Sequence, residues 1–124
     1  MSVRLVVVDD TLHVRQMLVD ILELHGFEVV GQASDGEEAV ARAAETDPDV
    51  VVLDLRMPRL DGLEAARQIR DRPGDQKIIL YSAYLDDDVR KEADDIGVAI
   101  CVSKGQGVEA LAREISALVM DLGR

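Results

Sequence analysis

Asp49-Val50-Val51-Val52-Leu53, running into Asp54-Leu55-Arg56-Met57-Pro58, contains the most continuously apolar segment of the chain. A strand with one wet face alternates apolar and polar residues. Val50 to Leu53 does not alternate, so both of its faces must be covered, as in a parallel sheet between two helix layers. Working back from it, Asp47-Pro48 stops an Ala-rich helix of about Glu37–Glu45, which the Ser34-Asp35-Gly36 turn introduces. Phe27–Ala33 reads as a second strand. Before it, Val14, Met17, Leu18, Ile21 and Leu22 recur at helical spacing across Leu12–His25, and Gly26 falls where a helix C-terminal glycine belongs. The β-branched run Val3–Val8 is the first strand.

Downstream the rhythm repeats. Asp61-Gly62 opens a helix with Leu63, Ala66 and Ile69 inward, Pro73-Gly74 closes it, and Lys77–Tyr81 is a fourth strand. A helix of about Asp86–Asp95 ends at Gly97, with acidic Asp86-Asp87-Asp88 suited to its N-terminal dipole. Val98–Val102 is the fifth strand, and Val108 to about Leu122 a last helix carrying Leu111, Ile115, Leu118 and Val119. Five strands alternating with five helices predict an α/β fold of flavodoxin-like (βα)5 type: a three-layer sandwich around a parallel sheet of order 2-1-3-4-5.

Composition narrows the function classes. The 124 residues suffice for one domain with its own core. Because aromatics are only 2% of residues, Val, Leu, Ile, Ala and Met must fill that core. No apolar run reaches the ~20 residues of a membrane helix, and the N-terminus lacks the apolar stretch of a signal peptide. The single cysteine, Cys101, excludes an internal disulfide and a cysteine metal cluster; a cytoplasmic protein is expected. The net charge of −11 argues against direct contact with nucleic acid, whose phosphates would repel it.

Ligands of such sheets bind beyond the carboxyl ends of the strands, where the chain order reverses. Strand 1 ends in Asp9-Asp10, strand 3 in Asp54, strand 4 in Ser82 and strand 5 in Ser103-Lys104. Taken singly, each has an ordinary explanation: Asp10 as a helix cap, Lys104 as a solvated lysine. Together they set three carboxylates, a hydroxyl and an ammonium on one edge of an apolar sheet, and the carboxylates repel unless a cation neutralises them. Hard oxygen donors with open positions suit Mg²⁺. A carboxylate beside Mg²⁺ can act as nucleophile toward a phosphoryl group, with Lys104 as a point charge, Ser82 as a hydrogen-bond donor, and Ala83 leaving room for the incoming group.

Val7-Val8-Asp9-Asp10, Val52-Leu53-Asp54-Leu55-Arg56-Met57-Pro58 with Asp61-Gly62, Ser82-Ala83 and Ser103-Lys104 resemble, in order and spacing, the signature of response-regulator receiver domains over essentially the whole chain, 1–124. The resemblance implies that Asp54 is the phosphoacceptor, and that Asp10, Asp54 and the main-chain carbonyl of Arg56 ligate Mg²⁺, with Asp9 acting through water. It further implies that Ser82 swings toward the phosphoryl group, that Lys104 contacts it, and that the side chains of Arg56 and Tyr84 tune water access. The phosphoryl donor would be a sensor histidine kinase or histidine phosphotransfer protein, and the recipient of the signal an output domain or partner protein. His13, near the site mouth, and His25, at a helix end, are not needed as donors.

Two positions depart from the family. Cys101 stands where an aromatic ring usually changes rotamer with the Ser/Thr. Gly105 replaces a common proline, in a Lys-Gly pairing similar to receivers of LuxR-like helix-turn-helix regulators, and implies a more flexible loop. Three rivals differ in class. A haloacid-dehalogenase-type phosphatase needs an Asp where Arg56 stands, and a cap domain. A flavodoxin wants aromatic stackers and a phosphate loop after strand 1. A receiver-like interaction module independent of phosphorylation is consistent with Cys101, but the retained site residues argue against it. The switch is thus expected to act on itself rather than as a turnover enzyme. A homodimer is compatible with the sequence, which carries no interface signature demanding one.

Overall fold

The computed structural model describes residues 2–121. The strands are β1 (Arg4–Val8), β2 (Glu28–Ala33), β3 (Val50–Leu53), β4 (Lys77–Ser82) and β5 (Ile100–Ser103). The helices are α1 (Leu12–Leu24), α2 (Gly36–Thr46), α3 (Gly62–Arg70), α4 (Asp87–Ile96) and α5 (Val108–Asp121). All strand pairs are parallel, and the sheet order is β2-β1-β3-β4-β5. The expected fold and strand order are therefore observed. The expected end of the last helix, Leu122, lies outside the described residues.

Strand alternation sorts the apolar residues into two cores. Val6, Val8, Val51, Leu53, Ile78 and Leu80 face α2, α3 and α4 through Ala39, Ala43, Ala65, Ala66, Ile69 and Ala93. Leu5, Val7, Val50, Val52, Ile79 and Tyr81 face α1 and α5 through Leu18, Val19, Leu22, Leu111 and Ile115. Alanines dominate the first interface, so those helices lie close to the sheet. In α1 it is Val19 rather than Met17 that turns inward; Met17 is 52% exposed.

Helix ends follow local chemistry. Asp35, Asp61 and Asp86 each accept a hydrogen bond from the backbone N–H three residues on, at 2.8, 2.9 and 2.8 Å, and so cap α2, α3 and α4. Gly26, at φ +90°, ends α1 in a Schellman turn: its N–H donates to the Glu23 carbonyl and the Phe27 N–H to that of Leu22. Two other glycines are demanded by space. A Cβ on Gly62 would lie 2.2 Å from the Asp54 carbonyl oxygen, and one on Gly36 2.0 Å from that of Leu60. The α2 and α3 entrances are thus pressed against the chain that follows β3.

Strand 5 begins two residues later than the sequence pattern indicates. The N–H of Val98 is taken by the Ala93 carbonyl, completing the α4 end. After β5, Lys104–Gln106 forms a 3-10 turn, with Ser103 and Gln106 as a capping box. The turn organises the segment for which Gly105 implied looseness.

Candidate functional site

β1 and β3 lie side by side with Val8 opposite Leu53, so the next residues, Asp9 and Asp54, emerge together at the sheet's carboxyl edge. Backbone hydrogen bonds continue the ladders one step further: Asp9 N–H donates to the Ala33 carbonyl at 3.1 Å and Asp54 N–H to that of Val8 at 3.2 Å. The two carboxylates therefore sit on rigid strand ends, both buried, while neighbouring Asp10 is exposed. One carboxylate oxygen from each of Asp9, Asp10 and Asp54 falls within 4.8 Å of the others. Asp10 does not cap α1; the N-cap is Thr11, which makes no side-chain cap bond. Instead the Thr11 N–H donates to Asp9 Oδ1 at 3.0 Å, leaving Asp10 turned to the cluster mouth.

Lys104 comes from the far side of the fold, off β5. Its Nζ donates to Asp9 Oδ2 at 2.9 Å and to Asp54 Oδ2 at 3.0 Å. Partial burial works against this charge, but the two carboxylate hydrogen bonds and their negative charges outweigh it and raise the lysine pKa above its ordinary value. The other Asp54 oxygen, Oδ1, accepts from the Leu55 N–H at 2.7 Å. The acidic cluster is thereby part-neutralised and held in orientation. With hard oxygen donors from three carboxylates, and the Arg56 carbonyl in the loop after Asp54, the donor set is of the kind that Mg²⁺ takes.

Ser82 is fully buried at the end of β4, opposite Ser103 in the β4–β5 register. Its Oγ accepts from the Tyr84 N–H at 3.1 Å. The Arg56 guanidinium stacks on the exposed Tyr84 ring, 3.9 Å from its centroid. Sequence reading singled out both residues without pairing them. Cys101 packs against the core on the α4 side and lines a cavity of about 180 Å³ with Arg90, Asp94 and Val98. Burial pushes its thiol pKa up; Arg90 draws it back and Asp94 adds to the rise.

Some supporting residues escaped sequence reading. Arg15 Nη1 donates to the Asp9 carbonyl at 2.7 Å and its Nε to Gln32 Oε1 at 3.2 Å, tying α1 to the ends of β1 and β2. Arg59 Nε donates to Asp35 Oδ2 at 3.0 Å. The one legible hint for Arg15 was a cation in the first turn after the acidic pair. His25, at the end of α1, bonds Glu109 of α5 through Nε2 at 3.0 Å. His13 is exposed.

Residues 5–116 match the family model of the response regulator receiver domain. The chain belongs to that family. As a receiver domain it is a phosphorylatable switch of two-component signal transduction, and the phosphorylation-independent module is not favoured. The chemotaxis protein CheY of Bacillus subtilis is 41% identical over 83 residues, 67% of this chain and 69% of CheY. The transcriptional regulatory protein LiaR of the same organism is 44% identical over 87 residues, which are 69% of this chain but only 41% of LiaR. Among solved structures, a LuxR-family two-component response regulator from Aurantimonas sp. SI85-9A1 superposes with a TM-score of 0.92 at 31% identity, covering 98% of this chain and 87% of that one. Among the described residues, no helix is long and apolar enough to cross a membrane.

Proposed function

We propose that Asp54 of this receiver accepts a phosphoryl group from a phosphohistidine on a sensor kinase or phosphotransfer protein. One observation carries the reading: Lys104 Nζ bridges Asp9 and Asp54 at 2.9 and 3.0 Å, inside a cluster of three carboxylates on an otherwise apolar sheet edge. A fold has no structural need to gather these charges at such cost. A phosphoryl site needs them. Asp10, Asp54 and the Arg56 carbonyl would hold Mg²⁺ directly, and Asp9 through water. Bound there, the ion supplies neutralisation of the phosphoryl oxygens.

The chain's own residues do the rest. An Asp54 carboxylate oxygen attacks phosphorus and an O–P bond forms as the P–N bond breaks. The imidazole leaves with the bonding pair, neutral because its other nitrogen already carries a proton. The Leu55 N–H orients the acceptor through Oδ1. Lys104 exchanges its carboxylate partner for a phosphoryl oxygen, and the Ser82 hydroxyl leaves the Tyr84 N–H to donate to another. Water later hydrolyses the acyl phosphate, with Arg56 and Tyr84 over its approach. The protein catalyses only changes on itself. The whole chain, 1–124, acts as one receiver unit and delivers its signal to an output domain or partner protein.

The test is incubation with Mg²⁺ and a small acyl phosphate, read by intact-protein mass, beside Asp54→Asn. The expected result is a single phosphoryl adduct that hydrolyses with time and is absent from Asp54→Asn. An adduct of equal yield on Asp54→Asn, or none on the wild type, refutes the assignment.

A further inference from the structure

The loop between β3 and α3 carries a strained turn held by a contact outside the acidic cluster. The Leu60 N–H donates to the Pro58 carbonyl at 2.8 Å, a bond that skips only one residue, and the skipped residue, Arg59, has φ +66°. A two-residue hydrogen bond around a positive φ is a γ-turn of the rare, strained kind, and a non-glycine residue there is costly. Such strain persists only where the surroundings over-determine it. Here Asp35 does so. It is 3% exposed, one oxygen caps α2 through the Glu38 N–H, and the other takes the Arg59 guanidinium. The Glu38 N–H bond and the Arg59 charge outweigh burial and hold this carboxyl ionised, below its ordinary range. Gly36, next to Asp35, packs directly beneath the Leu60 carbonyl. At the loop's other end the Gly62 N–H donates to the Leu55 carbonyl at 2.8 Å. Leu55 and Arg56 are thus confined between two anchors.

We propose that the Asp35–Arg59 ion pair is a latch that positions the Leu55 N–H and the Arg56 carbonyl for the phosphoryl site, making both members positioning residues for Mg²⁺ binding. The inference rests on the reading of the site given above. The latch ties the site to α2, so a partner touching the α2 entrance would alter the site without reaching Asp54. Neither residue touches the reacting atoms. Their effect is exerted through the two intervening residues, Met57 and Pro58, and the turn that Arg59 makes.

The test measures Mg²⁺ affinity of the unphosphorylated protein by isothermal titration calorimetry, for wild type, Arg59→Gly, Asp35→Asn and the double variant. Glycine keeps the positive φ at lower cost, and asparagine keeps the α2 cap, so each single variant removes the latch and spares the fold; circular dichroism checks that it has. Loss of an outer partner of a metal site commonly costs tenfold or more, and this latch acts from further out. The expected loss is therefore about threefold or greater, equal in both single variants and no larger in the double, with Arg59→Lys intermediate. Unchanged affinity in folded Arg59→Gly, or losses that multiply in the double variant, overturns the latch. Absence of Mg²⁺ binding that Asp54→Asn abolishes, seen already in the wild type, overturns the site reading instead, and the latch with it.

Discussion

Gly62 and Gly105 both flank the site, and the same one-carbon change at each should have opposite outcomes. In Gly62→Ala the new Cβ would lie 2.2 Å from the Asp54 carbonyl oxygen and 2.9 Å from the Leu55 Cα. Both obstacles are backbone at the end of a central strand, so relief requires α3 or the Asp54 peptide to move by about 1 Å, with a cost in the overpacking range of about 1–3 kcal/mol. In Gly105→Ala the Cβ meets only Ser103 Oγ, at 3.5 Å, an ordinary contact, and the backbone is not in the left-handed region. There the loss of unfolded-state freedom dominates and stabilises by about 0.4–1 kcal/mol. The two variants should therefore differ by about 1.5–4 kcal/mol, or on the order of 10 °C in Tm for a domain of this size. Urea and thermal unfolding followed by circular dichroism measure it. Agreement of the two variants within about 0.5 kcal/mol would refute the claim that α3 is seated against the Asp54 peptide.

Replacing Lys104 by Met removes the cation from Asp9 and Asp54 and should cost about 1–2 kcal/mol at pH 7 in EDTA, after discount for partial exposure. Added Mg²⁺ should raise the Tm of this variant more than that of wild type; an equal rise would show that the cluster needs no neutralisation. The raised lysine pKa means its contribution is complete below the unfolded value near 10.4 and fades only as pH climbs through the folded value, so the deficit should be flat from pH 6 to 9. Asp35→Ala loses a cap and the Arg59 partner and should destabilise by about 1–2 kcal/mol. Because that carboxyl's pKa is lowered, the deficit should hold above about pH 4 and shrink as pH falls through the folded value; chemical denaturation at pH 7 and pH 3 decides it. Cys101, its thiol pKa raised by burial, should react with iodoacetamide at pH 7.5 more slowly than free cysteine and catch up in urea. Reaction at the free-thiol rate in native buffer would contradict the packing.

The fold was legible because β1, β3 and β4 are nearly unbroken apolar runs and α1, α2 and α4 end at residues in positive φ, Gly26, Asp47 and Gly97. Its misreadings have local causes. Val98 looks like strand but completes the α4 end, and the 3-10 turn rests on a four-residue capping box too short for periodicity to register. Asp9, Asp54, Ser82 and Lys104 were legible because polar residues at the ends of buried strands stand out. What stayed hidden is pairing. Arg59 with Asp35 and Arg56 with Tyr84 join side chains 24 and 28 positions apart, whose geometry follows from how loops pack rather than from any spacing. The cap that could have explained Asp10 singly is not formed, because the Asp9 carboxylate, one residue earlier, takes the Thr11 N–H.

The Lys104 bridge spans 95 positions to Asp9 and 50 to Asp54. During synthesis both aspartates leave the ribosome well before their lysine, and until β5 is added to the sheet edge nothing carries the ammonium to them. A chain that stops before β5 therefore leaves Asp9 and Asp54 without the ammonium that bridges them in the structure. The acidic cluster gains its bridging cation only when the last strand joins the sheet, which makes β5 as much a part of the site as the two strands that carry the aspartates.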